Sequence, residues 1–195
     1  FESLFAHQNF MNLKEFNSLI ELFFYQAEKQ DPKSILLQWL NPNNKKSFTW
    51  EETKLNIFKL SKTIKENVKE GDRCLLVSEN RPEWFISDLA IMLSGAITVP
   101  AYTTYTEEDY KYLIEDCQPS VIIVSNNEMH DKLKNIIQEK GFIKKVITFD
   151  TIQKADYENK YLDFNSIIKN TLNENDKVKN LSLKRNSAAC IIYTS

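Results

Sequence analysis

Hydrophobic residues along this chain fall into two kinds of run, which alternate through its middle part. Short runs that are apolar throughout predict buried strands, and longer runs with apolar residues every three or four positions predict helices. The predicted strands cover residues 73–78, 96–99, 120–125 and 145–149. Strands that are apolar on both faces and separated by helices are typical of a parallel sheet covered by helices on both sides. The pattern therefore predicts an α/β fold built on a mostly parallel sheet.

A helix and a β-hairpin are predicted before this alternation begins. Asn17 is the predicted N-cap of the helix, which should end before Pro32 because proline disfavours helical geometry at the residue in front of it. Apolar residues then predict a strand over 34–40, a turn over 41–46 and a returning strand over 47–49. The sheet is thus expected to follow an N-terminal helix and hairpin.

Capping patterns indicate where three of the later helices begin. Thr49 is followed three positions on by Glu52, which is the pattern of a capping box, and Thr106 is followed by Asp109 in the same way. Asn80 is the predicted N-cap of a third helix, which carries apolar residues nearly all round and is therefore expected to be buried.

The later part of the chain is harder to predict. One further helix is expected around residues 129–137, and the polar stretch 150–186 is expected to be an irregular surface excursion with a short helix near 161–168. Residues 187–193 turn apolar again and predict a buried strand. A modest basic run precedes it, consisting of Lys177, Lys179, Lys184 and Arg185. We interpret this run as a solvated face, with attraction to acidic lipid head groups or a polyanionic ligand as the alternative.

Composition limits the functional classes. Of 195 residues, 42% are hydrophobic and 27% charged with a net charge of -2, which is typical of a soluble globular protein rather than a disordered one. The absence of a basic excess argues against nucleic acid as a partner. The most apolar stretch, 84–102, contains too many polar residues and breaks for a membrane span and is better explained by a helix followed by a strand.

Cysteine and histidine give no sign of a metal site or a catalytic triad. Cys74, Cys117 and Cys190 are odd in number and widely spaced, which argues against a disulfide framework and against zinc. All three are expected to be buried thiols in a reducing compartment, which predicts a cytoplasmic protein. His7 and His130 lie in polar stretches and are expected at the surface.

Candidate binding residues follow the predicted strands, because ligands of open α/β sheets bind outside the carboxyl ends of the strands. Hydroxyls and backbone amides at such turns can hold phosphate oxygens, which makes Thr194 and Ser195 the candidate binding residues. The other strand ends are 79–81, 100–104, 125–127 and 150.

Six residues near these ends have plainer explanations than ligand binding. Arg81 and Glu83 are expected to form a surface ion pair at a helix start. Trp84 is expected in the core rather than in the wall of an acyl-chain pocket, and residues 103–105 are expected to form a turn.

Several segments resemble the adenylate-forming superfamily. Residues 189–195 (Ala-Cys-Ile-Ile-Tyr-Thr-Ser) are similar to the beginning of its signature, which continues Tyr-Thr-Ser-Gly-Thr-Thr-Gly and ends with Lys-Gly. Residues 71–73 (Gly-Asp-Arg) resemble the Gly-Asp-Arg-Val element of the superfamily. Residues 78–84 (Ser-Glu-Asn-Arg-Pro-Glu-Trp), 93–102 (Leu-Ser-Gly-Ala-Ile-Thr-Val-Pro-Ala-Tyr) and 47–52 resemble segments of the long-chain acyl-CoA synthetases. These matches keep the family's order and approximate spacing, although Cys74 replaces the more usual valine.

The resemblance implies what the complete protein does. Residues 1–195 would be the N-terminal portion of an AMP-binding domain that stops at the start of the phosphate-binding loop, where Thr194 and Ser195 would orient the β- and γ-phosphates of ATP. The reaction would join a fatty acid to CoA through an acyl-adenylate, with ATP and Mg²⁺, and with possible peripheral contact to a membrane.

The resemblance assigns no catalytic residue, because those of the family would lie beyond Ser195. This chain alone is therefore expected to be inactive and to bind little ATP. Two alternatives stay open. The protein could be a fatty acyl-AMP ligase or an acyl-carrier-protein ligase, which share this region, or it could be a non-catalytic α/β binding module.

Overall fold

The computed structural model describes residues 15–41, 44–152, 159–177 and 183–194. A short 3-10 helix covers Glu174–Lys177. The helices are α1 (Leu19–Ala27), α2 (Trp50–Lys65), α3 (Pro82–Leu93), α4 (Glu107–Cys117), α5 (Asn127–Asp131), α6 (Lys134–Glu139) and α7 (Phe164–Ile167). The strands are β1 (Ile35–Asn41), β2 (Asn44–Thr49), β3 (Arg73–Val77), β4 (Ile97–Ala101), β5 (Val121–Val124), β6 (Lys145–Thr148) and β7 (Tyr161–Asp163).

A five-stranded parallel sheet forms the centre of the fold, with the strand order β4-β3-β5-β6-β7. Within it Leu75 of β3 lies opposite Val99 of β4 on one side and Ile122 of β5 on the other. The predicted α/β class and the parallel arrangement are confirmed.

Successive residues of each strand face two separate hydrophobic cores, because side chains alternate across a strand. Cys74 and Leu76 contribute to the core under α1, α2, α3 and α7. Leu75 and Val77 contribute to the core under α4, α5 and α6. The sheet is thus the shared wall between two cores, and every strand of its centre is apolar on both faces.

The predicted hairpin is also present. β1 pairs antiparallel with β2, and Leu40 lies opposite Lys45. The returning strand begins at Asn44 rather than at residue 47, because the pairing continues close to the turn. The hairpin stands outside the parallel sheet and packs against α2 and α3.

Both capping boxes form as expected. The Thr49 side chain accepts from the Glu52 amide while the Glu52 carboxylate accepts from the Thr49 amide, and Thr106 and Asp109 do the same at the start of α4. Each box satisfies amide groups that would otherwise have no partner in the first helical turn.

Two predicted N-caps are wrong by one residue. Ser18 rather than Asn17 caps α1, because the Ser18 hydroxyl accepts from the Glu21 amide at 3.1 Å. Arg81 rather than Asn80 is the N-cap of α3, and its side chain makes no capping hydrogen bond because a guanidinium has only donors and cannot accept from a helix amide.

Turns next to two strands require left-handed backbone geometry. Gly71 has φ +81° and Gly95 has φ +86°, and the amide of Gly71 donates to the carbonyl of Gly95 at 2.9 Å. Glycine adopts this geometry without the steric cost that a side chain brings. The two glycines thus place the turns before β3 and β4 side by side.

The later part of the chain differs from its prediction. The single helix expected around 129–137 is two short helices, α5 and α6, with Leu133 buried between them. The short helix expected near 161–168 is confirmed as α7. The expected surface position is wrong for residues 161–167, because β7 extends the sheet and Phe164 and Ile167 of α7 are buried in the core. Three strand residues are too few to produce a hydrophobic pattern.

Within the described ranges, no helix has the length and apolar character that crossing a bilayer requires.

Candidate functional site at the carboxyl edge of the sheet

The predicted strand ends meet at one edge of the sheet, since the strands are parallel and in register. β3 leads into α3 on one face of the sheet, whereas its neighbours β4 and β5 lead into α4 and α5 on the other face. Such a divergence of connections opens a crevice outside the strand ends, which is the usual ligand position in open α/β sheets. Residues 78–80, 102–104 and 125–126 border this position.

Arg81 organises one side of this edge. Its guanidinium donates two hydrogen bonds to Glu83, of 2.9 and 3.1 Å, and two to Asp150, of 3.1 and 2.9 Å. A fifth and longer contact of 3.4 Å reaches Glu79. An arginine side chain has five N–H donors, so these three carboxylates engage all of them.

Aromatic rings and a second cation complete the cluster. The Arg81 guanidinium lies 4.6 Å from the ring centre of Trp39 in the hairpin and 5.3 Å from that of Phe149. Lys46 of β2 binds the Glu83 carboxylate at 2.5 Å. These contacts join the hairpin, the start of α3 and the end of β6. We call the set the Arg81 network, which consists of Arg81, Glu79, Glu83, Asp150, Lys46, Trp39 and Phe149.

The predicted ion pair between Arg81 and Glu83 is present, but its predicted position at the surface is wrong. The Arg81 side chain is 1% exposed and that of Glu83 is fully buried. Burial by itself raises the pKa of Glu83, but the hydrogen bonds and charges of Arg81 and Lys46 outweigh it and hold the pKa below its usual range. Burial by itself lowers the pKa of Arg81, but the carboxylates of Glu83 and Asp150 outweigh it and raise that pKa. Arg81 and Glu83 are therefore both charged, and every N–H group of the guanidinium has a carboxylate partner.

Little in the sequence indicates this network. The sequence predicts that Asp150 lies at a strand end and that Lys46 and Trp39 lie in the hairpin, but it does not connect them, because the contact between Arg81 and Asp150 spans 69 residues. The available signal was that charged residues follow two strands that share one edge of the sheet.

The apolar segment after residue 187 lies beside β4. The Thr98 amide donates to the Ala189 carbonyl at 3.1 Å, and the Ile191 amide donates to the Thr98 carbonyl at 2.9 Å. These bonds form a single parallel bridge between Thr98 and Cys190. The segment therefore has the position of a sheet neighbour, and its far end points to the same carboxyl edge.

Burial of this segment is not observed. Cys190 is exposed and Ile192 is 62% exposed, because the segment is the outermost one of the described sheet. Ala189 and Tyr193 of the same segment are partly buried against the two cores. The prediction that every cysteine is buried is thus wrong for Cys190 and confirmed for the other two. Burial raises the pKa of Cys117 to about 11, and it also raises that of Cys74.

Of the two candidate phosphate-binding residues, Thr194 is exposed at the end of this segment, and Ser195 lies outside the described residues. This segment runs parallel to β4, toward the edge at which the chain leaves β4 through Tyr102 and Thr104. The parallel bridge directs the segment toward the carboxyl edge of the sheet, and Thr194 lies four residues beyond it.

His130 is not at the surface as expected. It is 3% exposed, and its Nε2 lies 2.9 Å from the hydroxyl of Tyr161, so it joins α5 to β7. Burial lowers the pKa of His130. His7 lies outside the described residues.

The remaining predicted positions have structural roles. Trp84 packs against the core of α2 and α3, and the Thr103 carbonyl accepts from Lys132 at 2.8 Å within a turn. In the basic run, Lys177 pairs with Glu174 at 2.7 Å, Arg185 donates to a backbone carbonyl at residue 16, and Lys179 lies outside the described residues. No group of three or more His, Cys, Asp or Glu side chains in the described part of the chain could hold a metal ion.

Comparison with known proteins gives consistent matches. A family model described as AMP-binding enzyme matches residues 23–195. The chain is 30% identical over 107 residues to a long-chain-fatty-acid–CoA ligase of Mycobacterium tuberculosis, FadD15, covering 54% of this chain and 18% of that protein. It is 28% identical over 152 residues to the long chain acyl-CoA synthetase 3 of Arabidopsis thaliana, covering 75% of this chain and 23% of that protein. The chain thus spans about a fifth of the length of these relatives.

Solved structures share the fold. The crystal structure of the coronafacic acid ligase from Pectobacterium brasiliense superposes with a TM-score of 0.72 at 20% identity, covering 91% of this chain and 33% of that chain. The anthranilate CoA ligase AuaEII superposes with a TM-score of 0.66 at 19% identity, covering 79% of this chain and 28% of that chain.

Proposed function

Because the chain belongs to the family of AMP-binding enzymes, we propose that the protein containing it activates a fatty acid with ATP and transfers the acyl group to CoA. The observation that carries this proposal is the similarity to long-chain acyl-CoA synthetases, which extends over 152 residues. The chain supplies the N-terminal portion of the AMP-binding domain in this proposal, up to the first residues of the phosphate-binding loop.

The reaction has two steps. The fatty-acid carboxylate attacks the α-phosphorus of ATP, which forms a mixed anhydride with AMP and releases pyrophosphate. The CoA thiolate then attacks the acyl carbon, which forms the thioester and releases AMP. Both steps need positioned groups and compensation of the phosphate charge.

Thr194 and Ser195 are the residues of this chain that we propose to contact the phosphates. An exposed hydroxyl at the carboxyl edge of a parallel sheet is suited to donate to a phosphate oxygen. Mg²⁺ would neutralise phosphate charge, but the described part of the chain has no metal-binding cluster, so we assign no Mg²⁺ ligand to it.

Pyrophosphate release by the full-length protein tests the proposal. We expect release that requires ATP, Mg²⁺ and a fatty acid, and a thioester product when CoA is present. If no fatty acid of any chain length supports release, the proposal is wrong. If release occurs and the acyl group passes to a phosphopantetheinyl carrier protein but not to CoA, the protein is a carrier-protein ligase instead. A complete lack of both activities would favour a non-catalytic module.

A pair of variants tests the proposed phosphate contact. Thr194→Val keeps the shape of the side chain and removes the hydroxyl, so we expect the KM for ATP to rise roughly tenfold, since a hydrogen bond to a charged group contributes about 1.5 kcal/mol or more. Thr171→Val makes the same change at an exposed threonine that lies beside the last turns of α2, away from the strand ends, and should leave this KM unchanged. Equal effects of both variants would contradict the assignment. The cytoplasmic location and peripheral membrane contact stay predictions.

A further inference from the structure

The segment that leads to Thr194 is held by few backbone contacts. Its ladder with β4 consists of the two hydrogen bonds of Thr98, and the second of these involves the Ile191 amide. Among the residues that the structure describes, no backbone hydrogen bond follows Ile191 along this segment. The backbone ladder alone therefore leaves the last three described residues without a fixed position.

A side-chain contact fixes the segment beyond that point. The ring of Tyr193 packs against the core that α4 covers, and its hydroxyl donates to a carboxylate oxygen of Asp116 at 2.5 Å. Asp116 is the penultimate residue of α4, a helix that begins with a capping box and is anchored by Leu113 and Cys117 in the core. Burial and the Asp116 carboxylate raise the pKa of Tyr193, so its hydroxyl stays protonated and remains a donor.

We propose that Asp116 and Tyr193 are positioning residues for the phosphate-binding residues. Tyr193 directly precedes Thr194, and consecutive Cα atoms are about 3.8 Å apart, so a side chain that fixes Tyr193 also fixes where Thr194 begins. This inference rests on the proposed function of Thr194 and Ser195 in holding ATP. In this inference both residues act through the position of Thr194 and not through a contact of their own with ATP.

Four variants separate this contact from its surroundings. Tyr193→Phe removes the hydroxyl and keeps the packed ring, and Asp116→Ala removes the acceptor. Asp116→Asn keeps an acceptor oxygen and should retain most of the contact. Glu115→Ala is the matched control, because it removes the neighbouring exposed carboxylate of α4, which binds Lys140 at 2.8 Å and not the segment.

The experiment measures steady-state pyrophosphate release by the full-length protein and its variants. We expect Tyr193→Phe and Asp116→Ala each to raise the KM for ATP about fivefold, as loss of one exposed charge-assisted hydrogen bond implies. The KM for the fatty acid and kcat should stay within about twofold of the original values. The double variant Tyr193→Phe with Asp116→Ala should raise the KM for ATP no further than either single variant does, since both substitutions remove the same contact.

A merely structural role predicts a different result. Partial unfolding would lower the amount of active protein and thus kcat, with no specific change in the KM for ATP. That result, or an equal effect of Glu115→Ala, would overturn the inference while leaving the proposed function intact. If the unsubstituted protein released no pyrophosphate at all, the proposed function would fall and this inference with it.

Discussion

The Arg81 network makes a strong prediction about stability. Replacing Arg81 by methionine keeps a long apolar side chain but removes the cation from a fully buried Glu83, which would then have only Lys46 as a partner. Breaking a buried ion pair from one side costs about 3–5 kcal/mol, because the remaining charge stays buried without its partner. Loss of the stacking on Trp39 is part of that cost, at about 0.5–2 kcal/mol.

The carboxylates of Asp150 and Glu79 add little to the free-energy cost of removing the Arg81 guanidinium. The side chains of Asp150 and Glu79 are 47% and 38% exposed, so water can replace the guanidinium at both. We therefore expect the free energy of opening this part of the fold to fall by about 3 kcal/mol, at the lower end of the range for buried pairs.

Hydrogen exchange of the full-length protein, followed by mass spectrometry, measures this change locally. Slowly exchanging amides of β3 and β6 should exchange roughly 100-fold faster in Arg81→Met, which corresponds to about 3 kcal/mol. Lys134→Met is the control, because its pair with Asp131 is 46% and 61% exposed and should contribute less than about 0.5 kcal/mol.

Two results would refute the reasoning. The first is an equal effect of Arg81→Met and Lys134→Met on exchange. The second concerns the double variant Arg81→Met with Glu83→Met, which removes the stranded charge and should be less destabilised than Arg81→Met alone. A double variant with additive destabilisation would show that the charge of Glu83 is not the cause.

Acid should reduce the difference between the original protein and Arg81→Met. The pKa of Glu83 is lower in the folded state, so its ion pairs stabilise the fold fully above the unfolded pKa of about 4.3 and lose that effect as the pH falls through the folded value.

Two further predictions concern backbone geometry and pH. Gly95→Ala should lower the free energy of unfolding by about 1 kcal/mol because φ is +86° there, even though the new Cβ would have room, with its nearest atom 3.9 Å away. Gly141→Ala is the control and should have no such cost, because Gly141 does not have a left-handed backbone. Equal melting temperatures of the two variants would contradict this prediction. Burial lowers the pKa of His130, so its stabilising effect is present above the unfolded pKa of about 6.5 and is lost as the pH falls below it. Exchange of the amides of α5, corrected for the intrinsic rate, should thus become faster as the pH is lowered from about 7.5 to 5.5. A His130→Gln variant should show no such increase.

Local features of this fold could be predicted from the sequence. The capping boxes at Thr49 and Thr106 each involve residues three positions apart, so the pattern contains the whole interaction. The apolar runs of β3 and β5 likewise indicate burial on both faces, which requires helices on both sides. These features need no knowledge of distant residues.

Non-local contacts could not be predicted in this way. Arg81 and Glu83 look like an exposed pair because nothing nearby in the sequence shows that the hairpin and the end of β6 close over them. His130 looks exposed in its polar surroundings, and its partner Tyr161 lies 31 residues away on a strand too short to be recognised. The partner that covers a polar group is information that only the tertiary structure contains.

The alternation of strand residues between two cores has an evolutionary consequence. Leu75 and Leu76 are adjacent in the chain, yet one packs under α4–α6 and the other under α1–α3. A volume change at Leu75 can be compensated only by helices on its own face, because the sheet separates it from the other core. In related sequences, neighbouring strand positions should therefore vary independently, while each covaries with helix positions far away in the chain.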